Sequence, residues 1–297
     1  WFDMEVYLRR VDELRRALEE LLESVAWEER IRRGDTVLVK PNFCTHALRA
    51  GVTTNLSLLN ALIGILEDRA GRVIVGETHS DGKDFELLRD ELDLDCEFVN
   101  LSEVETRRFE SPFGTLLLPK IVFNSKLINM PVLKTHGLTS LTLGIKNLFG
   151  LLQESEKYRY HHVIDRLLLH LLGLVNPALN ILDATYSMEG PGPTSGRVIR
   201  TDLLLASRDV VSLDMAVCKL IGIDPGDVGH IAMASAQYGT KAEIVGDADI
   251  KLKLYVPKIG KTEKLGAFLQ RGPARRIIMH PKVHPLARGV RDFLKKI

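Results

Sequence analysis

The segment from Asp35 to Glu77 narrows the choice of fold more than any other. It reads DTVLVKPNF, a loop, NLSLLNALIGILEDRAG, and then RVIVGE. Val37, Leu38 and Val39 form a continuous β-rich apolar run that Pro41 ends, the pattern of a buried strand. Asn55 stands where a helix N-cap belongs, and Gly71 where a helix stops. Strand, helix and strand in that order make a βαβ unit, which implies a parallel pair and a right-handed crossover.

The alternation continues along the chain. DFELLRDELD reads as a helix, CEFVNL as a strand, and TLLLPKIVFNSKLINMPVLK as one or two strands. TSLTLGIKNLFGLL and HVIDRLLLHLLGLV read as helices, ALNILDAT and DLLLAS as strands. DVVSLDMAVCKLIGI and DVGHIAMASAQYG read as helices, and AEIVG as a short strand. The expected fold class is therefore α/β, a mostly parallel sheet of βαβ units with helices on both faces. Val6, Val11, Leu14, Leu18, Leu21 and Leu22 recur at helical spacing, so residues 1–33 are expected to form an N-terminal helix that Gly34 stops. Residues 34–255 form the α/β core, and the basic segment 256–297 a helical C-terminal appendage.

Lysine plus arginine number 40 and aspartate plus glutamate 39, a net charge of +1. That balance gives no bulk electrostatic ground for a nucleic-acid partner. Cys44, Cys96 and Cys218 lie far apart with no CxxC pair, which fits a reducing compartment and excludes a self-contained zinc ribbon or ferredoxin-type cluster run. The charged amphipathic opening is not expected to act as a signal peptide. The longest apolar run, LLLHLLGLV, is too short to span a bilayer. A cytoplasmic protein without a membrane segment is expected.

In open α/β sheets ligands bind beyond the carboxyl ends of the strands. The residues there are Lys40 and Asn42 after the first strand, Glu77 and His79 after the second, and Lys134 and His136 after INMPVL. Asp183 and Glu189 close the list around NILDATYSMEGPGPTSG. Serine, threonine and aspartate in such loops usually serve as caps. Lysines that directly follow buried apolar runs are harder to explain that way, because burying an ammonium costs free energy unless it meets an anion. If TSLTLGIKNLFGLL is a helix, Thr139, Thr142, Lys146 and Gln153 share one polar line, and Lys146 points a third cation toward the same cleft. Lysines that converge favour a carboxylate or phosphate ligand. The loop MEGPGPTSG lacks both GK[ST] and GxGxxG, so no nucleotide fingerprint is present. His161 and His162 point in different directions on a helix. One of them, His161, joins Glu77, His79, His136 and Cys44 as candidate ligands of a divalent metal, with Glu77, His79 and His161 leading.

VLVKPNF, INMPVLKTHGLTSLTLGIKNLFGLL, a downstream histidine, ILDATYSMEGPGPTSG and LLASRDVVSLD, in that order, resemble the domain of unknown function 362 family over roughly residues 34–246. The family pattern falls on Lys40, Pro41, Asn42, Lys134, His136, Lys146, Asn147, Glu189, Gly190, Gly192 and Asp214. Many members carry a four-cysteine ferredoxin-like segment, so the resemblance implies an iron–sulfur or redox link. This chain has no such cysteine run, and a redox role would need a separate ferredoxin-like partner. Three readings stay open. The first is an enzyme for an anionic small molecule, with Lys40, Asn42, Lys134, Lys146, Asn147, Gly190 and Gly192 binding and His136, Glu189 and Asp183 in acid–base roles. The second is a metal- or cluster-linked redox protein. The third is a non-catalytic binding module.

Overall fold

The computed structural model of the chain describes residues 4–80 and 83–257. In chain order the elements are β1 (Glu5–Arg10), α1 (Leu14–Ser24), β2 (Thr36–Lys40), α2 (Leu56–Glu67), β3 (Arg72–Glu77), α3 (Phe85–Glu91) and β4 (Glu97–Asn100). There follow β5 (Thr106–Phe109), β6 (Leu116–Pro119), α4 (Ile121–Asn124), β7 (Lys126–Asn129), β8 (Val132–His136), β9 (Ser140–Leu141) and α5 (Gly144–Asn147). Last come α6 (Ile164–Leu174), β10 (Leu179–Glu189), β11 (Arg197–Ser207), α7 (Val210–Leu220), α8 (Gly229–Tyr238) and β12 (Glu243–Gly246).

The main sheet runs β12-β1-β11-β10-β7-β2-β3-β4. From β10 to β4 every pairing is parallel, while β11 is antiparallel to both β10 and β1. Strand β10 is long enough to pair twice on one edge. Its start pairs β7 (Leu179 with Ile128), and its end pairs β8 (Asp183 with Val132, Met188 with Lys134). Pro131 separates the two partners, since it cannot donate to the ladder. Its carbonyl still accepts from Asp183 N at 2.8 Å.

Alternation along the strands splits the core in two. Val37, Val39, Val73, Val75, Ile128 and Ile181 face the layer of α1 and α2, where they meet Leu18, Leu21, Leu59 and Leu62. Leu38, Ile74, Leu127 and Leu182 face the other layer, with Leu167 of α6 and Leu213 and Val217 of α7. The sheet is thus covered on both faces, as the βαβ reading requires. Asn55 caps α2 by accepting from Ser57 N at 2.9 Å, as its place in the sequence suggests.

Three local expectations are corrected. Residues 1–33 do not form one helix: Val6 and Leu8 are fully buried on alternate positions of β1, and the helix starts only at Leu14, capped by the Glu13 carboxylate. The period-2 pair was masked because it runs into the helical spacing of Leu14, Leu18 and Leu21. The segment TSLTLGIKNLFGLL is not an amphipathic helix either. Ser140 and Leu143 take positive φ values of 61° and 49°, which break a helix, and only the single turn α5 and a 3-10 turn over Leu148–Leu151 remain. TLLLPKIVFNSKLINMPVLK holds three strands and a helical turn rather than one or two strands. Of the proposed appendage, residues 258–297 lie outside the described residues. Residues just before them return to the core, with Leu252 N donating to Leu220 O at 3.0 Å and Gly190 N to Tyr255 O at 2.8 Å.

Candidate functional site

Strands β2 and β3 are parallel neighbours, so their last residues, Lys40 and Glu77, come side by side. Lys40 Nζ lies 3.2 Å from Glu77 Oε2, with side chains 1% and 5% exposed. Lys40 Nζ also donates to Pro41 O at 2.8 Å. Lys83 Nζ stands 3.8 Å from Glu77 Oε1 and donates to Phe43 O at 3.0 Å. Lys157 reaches in from the turn before α6 and donates to Thr78 Oγ1. Glu77 itself accepts from Phe43 N at 3.1 Å and Thr78 N at 2.9 Å. Burial alone would push the Glu77 carboxyl up, but Lys40, Lys83, Lys157 and the Thr78 N–H outweigh it and hold it down at about 2. Burial is also what pushes the Lys157 amine down, to about 7. One carboxylate thus serves three buried lysines.

Beside this group Lys134 rises from β8, completely buried. Its Nζ donates to Val52 O at 2.6 Å and Asn42 Oδ1 at 2.7 Å, and Cys44 Sγ lies 3.5 Å away. Asn42 starts a run of side-chain amides. Asn42 Nδ2 donates to Asn147 at 3.0 Å, Asn147 to Asn129 at 2.9 Å, Asn129 to Asn180 at 3.1 Å, and Asn180 to Ser207 O at 3.3 Å. Asn129 also donates to Gly144 O at 3.0 Å, which ties the turn α5 to the sheet. A buried amide is costly unless bonded, so the run satisfies itself while it fixes Asn42 under the lysine.

Lys146, on α5, differs from the other four lysines. It is half-buried and makes no hydrogen bond or ion pair among the described residues. Its Nζ stands 5.3 Å from the centroid of the Phe149 ring, which also meets the His161 ring at a centroid distance of 6.3 Å. Burial and then the nearby Lys134 charge push the Lys146 amine down to about 8. His136 Nδ1 accepts from Leu138 N at 3.0 Å and Thr139 N at 3.3 Å. Burial, then Lys146, His161 and Lys134, keep this imidazole well below its ordinary 6.5, so it is neutral and its proton sits on Nε2. A neutral imidazole in that tautomer is a donor through Nε2.

The remaining expected residues hold the frame. Asp183 is 2% exposed, and it accepts from Asn55 N at 2.8 Å and from Thr185 N and Oγ1 at 3.0 and 2.7 Å. It fixes the start of α2, and burial raises its carboxyl despite those bonds. Glu189 accepts from Arg197 Nε at 2.7 Å and Tyr255 N at 2.7 Å, which pins the segment around Tyr255 on the β10–β11 hairpin. Gly190 N–H is taken by Tyr255 O and Gly192 N–H by Gly190 O, so this loop offers no free amide cradle from those two positions. A Cβ on Gly192 would overlap the Thr135 carbonyl oxygen. No side-chain rotation relieves a clash with backbone, so Gly192→Ala is expected to lose about 1–3 kcal/mol, seen as a lower melting temperature by circular dichroism. Asp214 of α7 accepts from Gly144 N at 2.7 Å and Ile145 N at 2.9 Å and so sets the turn that carries Lys146. Burial pushes it up to about 8.

The expected metal ligands are not brought together. Glu77 is surrounded by ammonium groups, which repel a divalent cation. His79 lines an open groove of about 890 Å³ with His46, Lys83 and Phe85, while His161 stands against Phe149. Among the described residues no group of three or more His, Cys, Asp or Glu is placed to hold a metal ion. Sequence reasoning missed Lys83, Lys157, Asn129 and Asn180. Asn129 carried a signal, a lone amide inside the apolar run KLINMPVL. Lys157 carried none, since it sits in the charged run ESEKYRY.

Residues 37–219 match the family model described as domain of unknown function (DUF362), and the chain belongs to that family. A relative, the thylakoid-associated protein sll1697 of Synechocystis sp. (strain ATCC 27184 / PCC 6803 / Kazusa), is 27% identical, with 68% of each chain covered. No helix among the described residues is long and apolar enough to cross a membrane.

Proposed function

We propose that the carboxyl ends of β2, β3 and β8 bind a small carboxylate or phosphate compound, and that the chain acts on it as a cytoplasmic enzyme. The observation that carries this reading is the charge imbalance. Lys40 and Lys83 share Glu77, and among the described residues neither Lys134 nor Lys146 has a carboxylate within ion-pair distance. A buried set of cations with one paired anion favours a second, exchangeable anion. Lys146 is its first contact, His136 Nε2–H a second donor, and Lys134 with Asn42 the floor. Asp183 and Glu189 support the geometry rather than exchange protons, because their oxygens are already bonded. The compartment rests on the three sparse cysteines.

The test is thermal unfolding in phosphate, citrate or neutral salt at equal ionic strength. A site filled at about 100 times its Kd adds about 2.7 kcal/mol, or several degrees of melting temperature. Lys146→Met keeps the apolar stem and is expected to abolish the stabilisation by the anions while leaving the unliganded melting temperature close to that of the wild type. Equal stabilisation of the variant overturns the reading.

A further inference from the structure

Four of the five lysines at the strand ends have an oxygen to bond. Lys40 donates to Pro41 O and Glu77, Lys83 to Phe43 O, Lys134 to Val52 O and Asn42, and Lys157 to Thr78. Each of these amines has at least one oxygen acceptor to hold it. Lys146 has no acceptor among the described residues, is not sealed from solvent, and lies along the Phe149 face. It is therefore a primary amine near the Lys134 charge with no hydrogen-bond acceptor among the described residues.

We propose that Lys146 is a nucleophile that condenses with the carbonyl carbon of an anionic aldehyde or ketone to form an imine. This deepens the anion-site reading and rests on it: the substrate class becomes a carbonyl compound that also bears a carboxylate or phosphate. In the step, the nitrogen lone pair of the free amine forms a C–N bond as the C=O π bond opens onto oxygen. The oxygen then leaves as water, its two hydrogens being those the amine nitrogen gives up, and C=N remains. No oxidant or reductant is consumed. The His136 Nε2–H, neutral in this structure, is a donor suited to the carbonyl oxygen or to the anionic group. Charged and titratable groups near Lys146 come from several elements. Lys134 and His136 stand on β8 and His161 in the turn before α6. Asp165 stands on α6, His230 on α8, and Cys44 in the loop after β2. The cations among them disfavour a further positive charge, and Asp165 pulls the other way. Asp165 is also drawn to His230, at 3.4 Å.

The experiment is reductive trapping on the full chain. Pyruvate and glycolaldehyde phosphate are the probes, with cyanoborohydride as reductant, and adducts are mapped by peptide mass spectrometry. The expected result is one dominant reduced adduct, on Lys146, with at least one of the two probes. It is lost in Lys146→Arg, which keeps the charge but has no nucleophilic amine, and in Lys146→Gln as a second variant. The wild-type map decides alone if neither variant folds. Labelling spread over exposed lysines without enrichment at Lys146, or none with either probe, overturns the proposal. The two readings fail separately. Stabilisation by phosphate or citrate without an adduct removes the imine and keeps the anion site. An adduct on Lys146 without such stabilisation keeps the amine chemistry and removes the general anion site.

Discussion

Glu77→Gln is expected to destabilise the protein more than any other single change at the strand ends. The substitution keeps the shape and removes the charge that three lysines share. Lys40 and Lys83 are 1% and 2% exposed on their side chains, so water cannot replace the carboxylate. Breaking a buried pair by deleting one partner costs about 3–5 kcal/mol. A urea titration of the purified variant measures it as a lower midpoint at unchanged slope. The sign with pH follows from the lowered carboxyl. Glu77 contributes its stability fully above its ordinary 4.5 and loses it as pH falls through about 2. The wild type should therefore weaken progressively below about pH 4.5, and Glu77→Gln should lack that part of the acid slope. A variant with wild-type stability would mean that the lysines are neutral in the folded protein.

Asn129→Leu is the second large effect. The side chains are close in size, so no cavity forms. The change strands Asn180 Oδ1 and the Gly144 carbonyl, and removes the Asn129 oxygen that accepts from Asn147. Each buried polar group left without a partner costs about 1–3 kcal/mol. Asn147 keeps weaker contacts to Lys40 O and Pro41 O at 3.4 Å, so the total is expected below the simple sum, at about 3–5 kcal/mol. Hydrogen exchange at the amides of Gly144 and Ile145 should rise with it, because the turn α5 loses one of its ties. Unchanged exchange there would show that Asp214 alone holds the turn.

What was legible in the sequence follows from how local each signal is. Strands β2 and β3 declare themselves through uninterrupted valine, leucine and isoleucine, and the helix between them through Asn55 and Gly71. The rule that ligands gather at strand ends then brought Lys40, Glu77 and Lys134 into one neighbourhood, and they do stand there. β1 was lost because two alternating positions, Val6 and Leu8, are too few to oppose the helical run that follows. The break in TSLTLGIKNLFGLL was lost because Leu143 carries a positive φ that no leucine advertises. Lys83 and Lys157 were invisible for a different reason. Their burial depends on a carboxylate 6 and 80 positions away along the chain, and nothing near either lysine records it. Lys146 was singled out on a long amphipathic helix that the structure reduces to the single turn α5, although its apolar surroundings were real.

The run of asparagines from Asn42 to Asn180 has a consequence for which residues the family can exchange. At one end stands Lys134, an ammonium that can only donate; at the other stands the carbonyl of Ser207, which can only accept. Between them each amide must take a bond on its oxygen and give one from its nitrogen, and all four must face the same way. The arrangement has one satisfied orientation, like a row of dominoes fixed at both ends. An aspartate at any of the four places cannot give, and an aliphatic residue can do neither. Each therefore interrupts the row for every member beyond it. Relatives are thus expected to keep these four positions together or to replace them together, and a chain that has lost one should show compensation at its neighbours rather than a lone gap.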